Sequence, residues 1–322
     1  MNLRKLGNSG IEVPPLCFGG NIFGWTVDEA RSFELLDALL DSGLNFIDTA
    51  DVYSRWAPGN QGGESETIIG NWMKARGNRG HVIVATKVGN DMGDGKKGLS
   101  KAYILRAAED SLRRLQTDVI DLYQSHIDDE STPLEETLEA YDILIKAGKV
   151  RAIGASNYSG ARLDNALLIS EEKELPSYVC VQPEYNLYNR EKYETDLEPI
   201  VLKYGLGCIP YFALASGFLT GKYRSEADFG KSARGQGMAK YLNERGLRIL
   251  GALDEVAASH DATPAQVAIA WLIARPSITA PIASATSRQQ LDDLIAATRL
   301  RLDAAAVSAL TAASAWNGGS EQ

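Results

Sequence analysis

Four residues in this sequence have the side chains needed to put a proton on a carbonyl oxygen: Asp48, Tyr53, Lys87 and His126. A phenol, with a pKa of about 10, is a poor acid at neutral pH unless its anion is stabilised. Lys87 beside the phenol would do that, and Asp48 would hold and charge-balance the lysine. His126 would hydrogen-bond the substrate oxygen, orient it and share the proton relay. Singly, Asp48 reads as a turn residue, Lys87 as a surface lysine and His126 as a structural histidine, so the chemistry belongs to the group. His81 and His260 lack such partners and read as structural.

A group spread over 79 positions needs a scaffold that gathers it. Short apolar or β-branched runs at 16–19, 45–48, 82–87, 119–123, 150–154, 178–182, 207–211 and 278–283 alternate with amphipathic stretches at 28–40, 64–75, 101–115, 133–147, 160–170, 196–204 and 264–274. That rhythm predicts successive βα units, and eight strands predict an α/β fold of the (β/α)8 barrel type. Active sites of such barrels lie at the C-terminal ends of the strands. The second run ends on Asp48, the third on Lys87, and the fourth leads through Gln124 to His126. Ser131-Thr132-Pro133 and Thr263-Pro264 supply helix-start grammar. Residues 1–13 predict a β-hairpin turning on Asn8-Ser9-Gly10 and closing one barrel mouth. A single domain is expected over 1–322, with a polar, glycine-bearing cofactor or lid loop at 222–246, extra C-terminal helices and a flexible tail at 316–322.

The formal charge of -9 argues against a nucleic-acid partner. The start lacks the apolar core of a signal peptide, no segment reaches the length of a membrane span, and Cys17, Cys180 and Cys208 are far apart, so a cytoplasmic protein with no membrane partner is expected. The three histidines and three cysteines show no metal-ligand spacing. Phe23, Trp25 and Trp56, in loops after the first two strands, are candidates for an apolar substrate wall with Tyr53 and His126. Trp72 follows helical spacing and is expected in the core.

Five segments in order resemble the aldo-keto reductase superfamily, in the longer-loop microbial branch similar to potassium-channel β-subunit-like reductases. They are Phe46-Ile47-Asp48-Thr49-Ala50-Asp51-Val52-Tyr53, Ala85-Thr86-Lys87-Val88-Gly89, Asp121-Leu122-Tyr123-Gln124-Ser125-His126, Ile153-Gly154-Ala155-Ser156-Asn157-Tyr158 and the stretch from Tyr211 through Leu219-Thr220-Gly221-Lys222. The resemblance implies Asp48, Tyr53, Lys87 and His126 as catalytic tetrad and a small carbonyl or alcohol substrate. It implies NADP(H) as cofactor, with NAD(H) as the alternative. Ser156, Asn157 and Gln182 match positions that hold the nicotinamide carboxamide, and Tyr211 the ring on which nicotinamide stacks; Asp48 borders the same site. Leu214, Ala215, Ser216, Gly217 and Lys222 match the pyrophosphate loop, Arg234 a basic contact, and Gly20 and Asn21 contacts after strand one. Ser284, Thr286, Arg288, Gln290 and Asp293 match the adenosine turn, which departs from the family pattern at Ser284 and Leu294. A redox-sensing or regulatory module with weak turnover is the alternative function. A Schiff-base lyase on Lys87 is a third, and it leaves Tyr211 and Ser156-Asn157 unexplained.

Overall fold

The computed structural model describes residues 2–231 and 235–316. Strands β1 (Arg4–Lys5) and β2 (Glu12–Val13) form an antiparallel hairpin with Arg4 opposite Val13. The remaining strands are β3 (Cys17–Gly19), β4 (Phe46–Asp48), β5 (Ile83–Val88), β6 (Ile120–Ser125), β7 (Val150–Ser156), β8 (Tyr178–Gln182), β9 (Gly207–Cys208) and β10 (Ile282–Ala283). All neighbours are parallel, in the order β10-β3-β4-β5-β6-β7-β8-β9. The ring closes where the Thr279 amide donates to the Cys208 carbonyl and the Ile282 amide to the Pro210 carbonyl, both at 2.8 Å. The fold is a (β/α)8 barrel, as expected.

Two strands are shorter than their apolar runs. In the run 207–211 the strand covers only Gly207–Cys208; the Ile209 and Tyr211 amides still donate to the Val181 and Pro183 carbonyls at 3.0 and 2.9 Å, but Pro183 has no N–H to give back. In the run 278–283 only Ile282–Ala283 forms a strand, its earlier amides being spent on Cys208.

Around the barrel lie α1 (Glu29–Asp41), α2 (Glu64–Arg76), α3 (Lys101–Leu115), α4 (Leu134–Lys146), α5 (Gly160–Glu172), α6 (Glu198–Tyr204), α7 (Glu244–Ser259), α8 (Pro264–Ala274), α9 (Arg288–Arg299) and α10 (Ala304–Ala313). In α3 the buried set Tyr103, Ile104, Ala107, Ala108, Ser111, Leu112 and Leu115 keeps helical spacing and faces the sheet. Thr263 caps α8 with a complete capping box to Gln266. The start of α4 differs: Pro133 is itself the cap, and Thr132 turns its hydroxyl to Asp129 at 2.7 Å.

The hairpin plugs the N-terminal mouth of the barrel. Leu6, Ile11 and Val13 cluster with Phe46, Leu122, Ala152, Ile209 and Ile282 inside the ring. Gly7 makes the close approach possible: its φ is +53°, and a Cβ there would lie 2.1 Å from the Val179 carbonyl oxygen. The opposite mouth is left free for the site. Its rim includes the stretch expected as a polar loop at 222–246, which is wound into short 3-10 turns at Glu226–Lys231 and Gly235–Tyr241 and anchored by buried Tyr223, Met238 and Tyr241. Among the described residues no helix is long and apolar enough to cross a membrane.

Candidate active site

Asp48 ends β4, Lys87 lies one residue before the end of β5, and His126 follows β6 directly. Tyr53 comes from the turn after Asp48. The parallel ladder sets these strand ends side by side, with Asp48 opposite Ala85 and Lys87 opposite Gln124. The His126 amide extends the ladder by donating to the Val88 carbonyl at 2.8 Å.

The Lys87 ammonium is fully buried and spends its three N–H bonds on Asp48 Oδ2 at 2.8 Å, the Thr49 carbonyl at 2.7 Å and the Tyr53 hydroxyl at 2.7 Å. A buried ion pair is tolerable because every donor is satisfied; removing either partner of such a pair costs about 3–5 kcal/mol. Burial draws the lysine below its ordinary pKa, and Asp48 pulls it back up. The Tyr53 hydroxyl in turn donates to Asp48 Oδ2 at 3.1 Å. The Gln182 amide donates to Asp48 Oδ1 at 2.9 Å. Burial first, and then the negative charge of Asp48, push the Tyr53 phenol well above its ordinary value, so it stays protonated. His126 is held well below its ordinary value, by burial and then by Lys87, and is a neutral imidazole. Its ring stands edge-on to Tyr53 with centroids 5.9 Å apart.

These groups form one end of a cavity of about 970 Å³. Tyr53, His126, Trp25 and Trp56 line that end. The two indoles meet edge to face at 5.7 Å, and Trp56 meets Tyr53 at 6.0 Å. Directly beside them lie Ser156, Asn157, Gln182 and Tyr211: the Asn157 amide donates to the His126 carbonyl at 2.9 Å, the Ser156 hydroxyl to the Gln182 carbonyl at 2.8 Å and the Tyr211 hydroxyl to Asn157 Oδ1 at 2.9 Å. Farther along come Leu214, Ser216, Gly217 and Lys222 and then Asn21, Ser284, Thr286, Gln290 and Asp293. Ala215 and Ser216 have φ of 47° and 56°, left-handed values that non-glycine residues adopt at a cost and that recur at ligand clamps. The Ser284 hydroxyl shares its one proton between the Gly19 carbonyl at 2.7 Å and Asn21 Oδ1 at 2.8 Å, tying the adenosine-turn candidate to strand β3.

Some expected residues stand elsewhere. Phe23 is fully buried and stacks on Phe18 at 5.8 Å, so it belongs to the core and not to the substrate wall. Gly20 and Ala215 are buried behind the lining. Arg288 lies outside the cavity, its Nε donating to Asp292 at 2.9 Å on the exposed face of α9. Arg234 falls outside the described residues. Trp72 is buried in the core as expected. The lining also contains Ile22, Thr26, Phe212, Thr220, Lys231 and Thr263, which composition and spacing did not single out. Lys231 had a signal, being a cation inside the stretch expected to cover a cofactor; Phe212 had one only in its place beside Tyr211.

A cavity of this size, lined by a phenol and a buried acid that both bond a buried amine, and also by Lys222, Lys231 and the residues at the start of α9, can hold a long anionic cofactor against a small substrate. A family profile described as the Aldo/keto reductase family matches residues 15–315. The chain is 36% identical over 311 residues to a Bacillus subtilis (strain 168) protein named uncharacterized oxidoreductase YrpG, covering 94% of this chain and 93% of the relative. It is 34% identical over 305 residues to aldo-keto reductase YhdN of the same organism, covering 91% and 88%. It is 33% identical over 299 residues to a probable voltage-gated potassium channel subunit beta of Oryza sativa subsp. japonica, covering 90% and 89%. The chain therefore belongs to the aldo/keto reductase family and is an oxidoreductase by that membership.

Proposed function

We propose that this oxidoreductase uses NADP(H) to interconvert small aldehydes or ketones and their alcohols, with Tyr53 as general acid. The observation that carries the reading is the Tyr53 hydroxyl, fixed at 2.7 Å from a fully buried ammonium and facing the cavity. The nicotinamide cofactor, when bound, supplies the hydride. Everything else falls to the chain. Neutral His126 donates a hydrogen bond to the carbonyl and orients it, and Trp25 and Trp56 exclude water from that end. Tyr53 remains a phenol until negative charge builds on the substrate oxygen, and an alkoxide is a base strong enough to take its proton. Lys87 then faces a phenolate and stabilises it at hydrogen-bond distance. Ser156, Asn157 and Gln182 would hold the carboxamide, and Tyr211 the ring face.

Support for the 2′-phosphate comes from α9. Its first turn presents Thr286 and Gln290 at the positive end of the helix. Arg288 is held away only by an exposed ion pair, a contact worth about 0–1 kcal/mol and cheap to give up. We expect Arg288→Ala to raise the Kd for NADPH by about tenfold and that for NADH by less than twofold, since a charge-assisted contact contributes about 1.5–3 kcal/mol. Equal effects on both cofactors in a titration would sink the phosphate assignment. The relative named as a channel β-subunit favours a second reading, a regulatory module that binds cofactor and turns over weakly. NADPH consumption across a panel of aliphatic and aromatic carbonyls separates the two.

A further inference from the structure

Gln124 sits on β6 between Lys87 of β5 and Gly154 of β7, its register partners on either side. It is fully buried. Gly154 makes room for it, since a Cβ there would lie 3.1 Å from Gln124 Cγ and 3.4 Å from its Oε1. The side chain meets Gln182 of β8, whose Nε2 donates to Gln124 Oε1 at 3.2 Å and to Asp48 Oδ1 at 2.9 Å.

The orientation of this row is forced from one end. The Asp48 carboxylate, paired with Lys87, only accepts, so the Gln182 atom against it must be the nitrogen. That nitrogen has a second N–H, which needs an oxygen, so Gln124 turns Oε1 toward it. Gln124 Nε2 is then left over: it is buried and meets no partner among the described residues. An apolar side chain at 124 would leave a single Gln182 N–H unpaired, where glutamine leaves both of its own, so stability alone does not favour an amide there. The backbone of Gln182 is held separately, by the Ser156 hydroxyl on its carbonyl at 2.8 Å. What Gln124 fixes is the side chain. Gln182 lines the cavity, and with both N–H bonds committed its Oε1 is the polar atom it has left to offer there.

We propose that Gln124 is a positioning residue that acts through Gln182: by taking the second N–H it locks that carboxamide with Oε1 toward the cavity, as the acceptor for the carboxamide N–H of a nicotinamide. The inference rests on the reading that the cavity takes a nicotinamide cofactor. Without Gln124, Gln182 is tethered by its one bond to Asp48, about which the amide can turn, and the acceptor loses its fixed place.

The test uses NADP+ and its acetylpyridine analogue, in which a methyl group replaces the carboxamide nitrogen. The first can donate to Gln182 Oε1, and the second cannot. Both are titrated by tryptophan fluorescence against full-length wild type and Gln124→Met. The Kd for NADP+ should rise about three- to tenfold in the variant, the span of one neutral hydrogen bond, while that for the analogue changes by less than about twofold. Equal weakening of both would mean that methionine merely deforms the site, and unchanged NADP+ binding that Gln124 does not act on it; either result overturns the proposal. Thermal melting tests the link to Gln182 with no cofactor present. In wild type, Gln124→Met exchanges one unpaired amide for another; in Gln182→Met it removes a side chain whose oxygen has lost its donor as well. The substitution should therefore be more favourable to Tm in the Gln182→Met background, by about 2 °C. Equal shifts in the two backgrounds overturn the coupling. Should wild type bind neither nucleotide, the cofactor reading fails, and the melting cycle still decides whether Gln124 holds Gln182. If a methionine variant does not fold, leucine, equally apolar, takes its place in both measurements.

Discussion

Replacing Tyr53 by phenylalanine removes one oxygen and keeps the ring. The ring's contacts with Trp56 at 6.0 Å and His126 at 5.9 Å are available to phenylalanine, so the wall of the cavity should stay in place. Lys87 keeps Asp48 at 2.8 Å and the Thr49 carbonyl at 2.7 Å, losing one acceptor of three. One unmet buried donor costs about 1–3 kcal/mol. The lower end applies here, because Asp48 keeps the ammonium charge-balanced. The variant should then fold and melt a few degrees below wild type. Its chemistry is another matter. General acid catalysis contributes about 10²–10⁴-fold, or about 3–5 kcal/mol of barrier, and no other group that touches the phenol can replace it: Lys87 is pointed at the vacated position from behind, and His126 is neutral. Reduction at saturating NADPH should fall by at least about 100-fold in kcat, and alcohol oxidation should fall with it, since the same proton must travel back. NADPH binding, followed by quenching of tryptophan fluorescence, should change by less than about twofold, because the residues expected to hold the cofactor are untouched. Turnover within tenfold of wild type would refute the general-acid role. A loss of rate matched by an equal loss of NADPH affinity would refute the division of the cavity into a chemical end and a cofactor end.

Two further outcomes follow from the same geometry. Because burial keeps His126 neutral well below its ordinary pKa, reduction should show no acid limb near pH 6.5; a limb there that vanishes in His126→Asn would mean the imidazole titrates in the accessible range. Gly7→Ala and Gly10→Ala share the penalty of a positive φ, at 53° and 74°, but only the first drives a Cβ onto backbone, 2.1 Å from the Val179 oxygen, while the second points into open space. Gly7→Ala should cost at least about 1 kcal/mol more than Gly10→Ala in urea unfolding, and equal costs would mean that the hairpin does not press on the barrel as closely as the structure indicates.

What could be read from residues alone divides along a physical line. The barrel was legible because strand and helix periods are local, and α3 and α8 begin and end at the residues their patterns indicate. The meeting of Asp48, Tyr53, Lys87 and His126 was legible for a related reason: in a parallel barrel, sequence order is spatial order, so three consecutive strand ends are neighbours without any knowledge of packing. Side-chain direction is not local in this sense. Phe23 and Trp25 share a loop, yet one is core and the other lines the cavity, which depends on how that turn sits against Phe18. Arg288 has the right type at the right helix end, but Asp292, one turn on, takes its guanidinium.

Asp51 shows the limit most clearly. By type and place it is an ordinary polar residue in a turn, between Asp48 and Tyr53. In the fold it is 2% exposed, and burial first, then the charge of Glu66, push its carboxyl up to about 8. Its burial is made by distant residues: Arg114, brought from 48 positions beyond Glu66, and the close crossing of α2 and α3 at Gly70, where a Cβ would lie 2.2 Å from the Arg114 carbonyl. A larger residue at 70 would part those helices, admit water beside Asp51 and return its carboxyl toward an ordinary acidity, although position 70 touches neither substrate nor cofactor. Gly70→Ala should therefore cost at least about 1 kcal/mol in urea unfolding, and a variant as stable as wild type would mean that α2 and α3 do not cross as closely as the 2.2 Å approach indicates.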